Sequence, residues 1–244
     1  MFLKMKNFLA AIALMTGIVS ASQSKAEGEI TALDTRQQSI ITIAAFTASG
    51  DIDRLTPALN AGLDAGLTVN EVKEILVQMY AYAGFPRSLS AMFALMNTLE
   101  ERKATGINDE IGKDAGPIPD NFDRDAYGAR VRANLSGLDD IPPPAAWQEF
   151  SPIIDTFLKE HLFADIFVRD VLDHQQRELA TIAALANMTG TAGQLRYHLG
   201  AAMNTGLSKA QMSDFVLVLG AQVGSQQAED TASLLAEVLK ARGQ

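Results

Sequence analysis

The chain has no cysteine among its 244 residues. That absence removes disulfides, thiolate metal sites, thiol catalysis and lipid anchoring through cysteine together. Histidine is scarce: His161, His174 and His198 form neither a His-Glu-x-x-His motif nor a two-histidine, one-carboxylate set, so no metal is expected. Basic residues are in deficit, 20 Lys and Arg against 29 Asp and Glu, and no basic stripe is present, so nucleic acid is not an expected partner. Apolar runs are short. The run from Phe8 to Val19 follows Lys4 and Lys6, falls short of a comfortable bilayer span and precedes small residues at Val19-Ser20-Ala21 and Ser24-Lys25-Ala26. Residues 1–26 therefore read as a secretory signal peptide, which implies a periplasmic or secreted protein without membrane attachment after cleavage. Losing them leaves 17 basic against 29 acidic residues, a net charge of −12. No segment alternates long enough for a convincing strand.

What is present is a pattern written twice. Thr42-Ile43-Ala44-Ala45 leads to Leu55, Leu59, Gly66-Leu67-Thr68 and Glu71; Thr181-Ile182-Ala183-Ala184 leads to Leu195, Leu199, Gly206-Leu207-Ser208 and Gln211. The offset is 139 residues at the alanine pair and 140 from the leucines onward, which places one inserted residue in the loop between them. A period this long marks a duplicated domain and not a solenoid.

Each copy reads as helical. Val72, Ile75, Leu76, Met79, Tyr80 and Ala83 fall on one helical face, with Glu71, Lys73, Glu74 and Gln78 opposite. Thr68 with Glu71 forms a capping box and Leu67 with Val72 a hydrophobic staple; Ser208 with Gln211 and Leu207 with Met212 repeat both. The spacing predicts helices near 36–48, 52–65, 69–82 and 86–104, and near 175–188, 192–205, 209–223 and 226–241. Between them, Gly112 to Asp120 and Pro142-Pro143-Pro144 forbid regular helix, with helices at about 122–136 and 145–172 around the prolines. The expected organisation is a first repeat over 27–106, a connector over 107–160 and a second repeat over 161–244.

Tyr80-Ala81-Tyr82-Ala83-Gly84-Phe85-Pro86 after Gly66-Leu67-Thr68 and Glu71, and Arg177-Glu178-Leu179 followed by Leu195, His198 and Gly206-Leu207-Ser208, resemble two copies of the carboxymuconolactone decarboxylase family. The resemblance covers most of 33–99 and 161–240. It implies an all-α fold of two tandem alkyl hydroperoxidase D-like helical repeats packed as a pseudo-dimer. Cysteine-bearing relatives reduce peroxides through Cys-x-x-Cys, but the matching positions are Thr191 and Gln194 in one copy and Asp51 and Arg54 in the other, so thiol peroxidase chemistry is excluded. The decarboxylase branch removes carbon dioxide from a small lactone carboxylate without a cofactor. Such chemistry needs a stabilised enolate and a proton donor to carbon, which points to His198 with Glu178 as the acid-base pair.

The copies have decayed in complementary ways. His198 and Glu178 correspond to Ala58 and Ser39, while Tyr80, Gly84, Phe85 and Pro86 correspond to Gly220, Gly224, Ser225 and Gln226. The expected site is one composite: Glu178 and His198 from the second repeat, Tyr80, Tyr82 and Phe85 from the first, with Arg177 and Arg196 attracting a carboxylate. The same residues admit plainer readings, the aromatics as packing and His198 as a histidine at the core margin. The function expected from the resemblance is a cofactor-independent lyase on a small lactone or keto carboxylate; the alternative is an exported, non-catalytic binding or scaffold protein on the same fold. Ring-forming relatives imply a homo-oligomer, a trimer of pseudo-dimers.

Overall fold

The computed structural model describes residues 32–244. The signal-peptide reading and the first residues of the expected first repeat lie outside them. Every regular element among the described residues is a helix, with no strand among them.

The first repeat contributes α1 (Thr35–Ser49), α2 (Ile52–Asp64), α3 (Val69–Ala83) and α4 (Phe85–Ala104). The connector carries α5 (Arg124–Leu135), the short α6 (Ala146–Phe150) and α7 (Pro152–Thr156), and a π-helix over Phe157–Ile166. The second repeat contributes α8 (His174–Ala186), α9 (Ala192–Asn204), α10 (Lys209–Val218), a π-helical turn (Leu219–Val223) and α11 (Ser225–Ala241).

Packing repeats with the sequence. In the first repeat α1 lies on α2, α2 on α4 and α3 on α4; in the second α8 lies on α9, α9 on α11 and α10 on α11. The repeats then exchange contacts: α1 packs along α8, α3 crosses to α8, and α10 with its π-turn crosses to α1. This is the reciprocity of a dimer within one chain. Residues 39–48 of α1 and 177–185 of α8 are buried without interruption, as helices enclosed on all sides must be. One hydrophobic core runs through both repeats, from Ile40, Ile43 and Leu59 to Ile182, Leu199 and Phe215.

The caps form as their residues dictate. Thr68 Oγ1 accepts from the Glu71 amide while Glu71 Oε2 accepts from the Thr68 amide, and Ser208 with Gln211 repeats the exchange. Asp34 and Asp173 build equivalent boxes at the starts of α1 and α8 with Gln37 and Gln176.

Three features depart from the sequence reading. The helix expected over 145–172 is broken at Ser151, whose extended backbone (φ −137°, ψ 79°) is what a following proline demands. Beyond Thr156 the chain widens into the π-helix, and the helix expected to run to 223 ends as α-helix at Val218 and finishes as the π-turn. Glu74 and Gln78, read on the polar face of α3, are buried, because α8 covers that face.

Candidate active site

The Asp173 box starts α8 so that Glu178 comes one turn later on the face toward α9. His198 sits in mid-α9. Its Nδ1 lies 2.7 Å from Glu178 Oε2, and both side chains are buried. With Glu178 ionised its carboxylate accepts from Nδ1, and Nε2 is the ring nitrogen that remains for other partners.

The first repeat supplies Tyr82. Its ring stands edge-on to the His198 ring at 6.0 Å between centroids, and its hydroxyl is buried although the residue is half-buried overall. Burial, and then the neighbouring Glu178 carboxylate, push the Tyr82 phenol far above its ordinary value; Thr181 pulls slightly the other way without a well-directed hydrogen bond. Tyr82 is therefore a neutral donor at any working pH. Both the Tyr82 hydroxyl and Glu178 Oε1 are buried without a protein partner. Leaving a polar atom so costs about 1–3 kcal/mol, a penalty that native sites tolerate where a ligand is to be held.

The other expected residues fall in three places. Tyr80 and Phe85 form an outer stack at 4.4 Å, with Phe85 largely exposed and Tyr80 5.5 Å from the His161 ring. Arg177 is fully buried between the repeats, donating to Gln78 Oε1 (3.0 Å), Glu74 Oε2 (3.3 Å) and the Arg169 carbonyl (2.7 Å). Only its Nε lacks a partner. Arg196 is exposed and pairs with Glu237 at 3.1 Å. Two neighbours escaped the sequence reading. Tyr197 stands edge-on to His198 at 5.0 Å, and Gln78 donates to the Arg177 carbonyl and to Thr181 Oγ1. Tyr197 corresponds to Pro57, so the same comparison of repeats that singled out His198 also marks it.

The connector closes the pair in. Val131 and Leu135 of α5, Leu162, Phe163 and Ile166 of the π-helix, and Phe167 form a second apolar cluster with Ala201 of α9, against which Tyr80 and Tyr82 pack. At the equivalent place in the first repeat, by contrast, a cleft of about 810 Å³ lies open. Its lining includes Ser39, Ala58 and Gln222, the counterparts of Glu178, His198 and Tyr82. The open cleft thus lies where Ser39 and Ala58 replace the pair, and the Glu178–His198 pair lies where the equivalent place is covered.

A model of the carboxymuconolactone decarboxylase family matches residues 21–96 and 153–237. The chain belongs to this family. Among curated proteins, the 4-carboxymuconolactone decarboxylase of Acinetobacter baylyi is 32% identical over 88 residues. That match covers 36% of this chain and spans only 56% of the relative's length. The two matched regions fall on the two repeats and leave most of the connector, including α5 and α6, between them.

Proposed function

We propose that this family member is a cofactor-independent carboxy-lyase acting on a small lactone or keto carboxylate, with one composite site built from both repeats. The buried Glu178–His198 pair, 2.7 Å apart beside the unpartnered Tyr82 hydroxyl, carries the reading. In the reaction the bond from carbon to the carboxylate breaks, carbon dioxide leaves, and the electron pair passes into the conjugated carbonyl as an enolate. Tyr82, neutral, donates to the enolate oxygen. His198 gives the Nε2 proton to carbon and recovers one from solvent, while Glu178 holds the ring and balances the imidazolium. Arg177, charged and buried beside the site, favours an anionic substrate.

The test is carbon dioxide release from a panel of small lactones and β-keto acids. His198→Ala and Glu178→Gln should each lower turnover about 10²–10⁴-fold with far-UV circular dichroism unchanged. Variants that keep full turnover would refute the reading.

The covering of the pair by the connector favours a second reading, a non-catalytic binding protein on the same fold. It expects no turnover on any member of the panel. Export rests on residues 1–26 and is checked by N-terminal sequencing of protein recovered from the periplasm. Self-association is supported by the exposed apolar stripe Phe85, Leu89, Phe93 and Met96 along α4. A trimer by light scattering is the expected result.

A further inference from the structure

Glu178 is wholly buried and the His198 side chain is only 8% exposed, so access to the pair must come through a neighbouring cleft. In the first repeat the open groove follows α2 past Asp53, Pro57 and Ala61 and reaches Ser39 and Ala58 at its floor. The counterparts of the first three on α9 are Gly193, Tyr197 and Ala201, and they line a second cleft of about 590 Å³. This cleft follows the same route but ends before Glu178 and His198. It is stopped by the Tyr197 side chain and by Leu135 and Ser136 at the end of α5.

Tyr197 stands at the boundary. Its ring faces the His198 ring edge-on, 42% of the residue is exposed, and its hydroxyl bonds the Ser136 hydroxyl at 2.9 Å. One exposed hydrogen bond, to Ser136, holds its hydroxyl, so rotation of the side chain is the smallest movement that would extend the cleft toward the His198 ring.

The cleft wall carries two guanidinium groups. Arg196 pairs with Glu237, but both side chains are more than half exposed, so the pair is weak and readily exchanged. Arg242 donates to the neutral Asn204 Oδ1 at 2.9 Å and has no carboxylate at ion-pair distance among the described residues. The lining therefore has a net positive charge on an otherwise acidic protein. Its volume suits a small molecule.

We propose that the cleft along α9 is the entrance to the Glu178–His198 pair, that Tyr197 is its gate, latched by Ser136, and that Arg196 and Arg242 receive the carboxylate of the incoming molecule. The proposal deepens the lyase reading and rests on it for the nature of the substrate. Its test does not use turnover.

Carbethoxylation of histidines by diethyl pyrocarbonate, mapped by mass spectrometry, measures access to His198 against exposed His161 in the same molecule. In the unmodified chain His198 should react about tenfold more slowly than His161, as a group reached only through local opening does. Tyr197→Ala should raise the His198 rate about tenfold, and the milder Tyr197→Phe and Ser136→Ala severalfold, with His161 and His174 unchanged. If Tyr197→Ala raises all three rates together it has unfolded, and the two milder variants decide. His198 rates unaltered in both overturn the gate.

Millimolar levulinate should protect His198, and Arg196→Ala with Arg242→Ala should abolish the protection. Protection that survives in the double variant overturns the anion-receiving role. An inactive protein that nonetheless shows the expected labelling would refute the lyase and leave the entrance standing.

Discussion

At the scale of single residues, the decisive contrast is between charges that are buried and charges that only look paired. Glu74 and Arg177 are almost wholly withdrawn from solvent, with Arg169 adding a second guanidinium to the same carboxylate. Burial draws the Arg177 pKa down and Glu74 draws it back up, so Glu74 is what keeps the charge tolerable there. Glu74→Ala should therefore cost about 3–5 kcal/mol in urea unfolding, whereas Arg196→Ala, at an exposed pair, should stay within about 0.5 kcal/mol. Tyr82 predicts the opposite pattern. Tyr82→Phe removes a buried hydroxyl that has no protein partner, so melting should be unchanged or slightly higher while turnover falls about 10–100-fold. Loss of both stability and activity would mean that the hydroxyl serves packing and not a ligand. Comparing the repeats position by position exposes Glu178, His198 and Tyr82. It cannot expose Glu74 or Gln78, because their polar character marks a solvent face until a second repeat is laid over it.

At the scale of elements, α1, α3, α8 and α10 are legible because each opens on an Asp, Thr or Ser cap with a Gln or Glu three residues on. By contrast, α4 and α11 start after a glycine without a side-chain cap and are read from apolar spacing. The connector carries few such signals: Asp123 caps α5 by accepting from the Ala126 amide, and Gln148 accepts from the Ala145 amide at the start of α6. Its π-helix leaves no cap and shifts the spacing of buried residues away from 3.6, and its dependence on α5 is a matter of contact. Gly128 shows how close that contact is, since a Cβ there would lie 1.9 Å from the Lys159 carbonyl oxygen. Gly128→Ala should lift α5 off the π-helix at a cost of roughly 1–3 kcal/mol, seen first as lost hydrogen-exchange protection over 124–135. The same junction is sensitive to acid. Burial alone would raise the Asp155 and Asp165 carboxyls, but hydrogen bonds from Arg132 and Gln148 to the first, and from His161 and Arg124 to the second, outweigh it and hold both below their ordinary values. Their stabilising contribution is therefore complete above the ordinary carboxylate range and is lost as pH falls through the lowered folded values. Trp147, the sole tryptophan, lies on α6 with Arg132 over its ring and reports on this region. On acidification its fluorescence should change before far-UV circular dichroism does; coincident changes would show that the connector has no acid-labile junction of its own.

At the scale of the whole molecule, the two repeats have kept a common frame and diverged at matching positions. Both repeats keep the caps and the enclosed central helices that let α1 and α8 bury each other, because losing either would expose the largely apolar surface of a helix buried on all sides. The positions of the proposed site have diverged instead, and the first repeat holds Ser39 and Ala58 where the second holds Glu178 and His198. The connector covers the place that holds Glu178 and His198 and leaves its counterpart in the first repeat open. It follows that neither repeat is an independent folding unit. Ile40, Ile41 and Ile43 of α1 and Ile182, Ala183 and Ala184 of α8 lie in one core, and each large aliphatic side chain exposed by separation forfeits about 1.5–3 kcal/mol. That loss exceeds what a repeat of four helices retains in reserve. Residues 161–244 produced alone should therefore show no cooperative urea transition, while the intact chain at neutral pH should unfold in one transition by both circular dichroism and Trp147 fluorescence. A sharp transition in the isolated repeat as a monomer would show that the shared core is two cores in contact, and the pseudo-dimer would then be held by its interface and not by its fold.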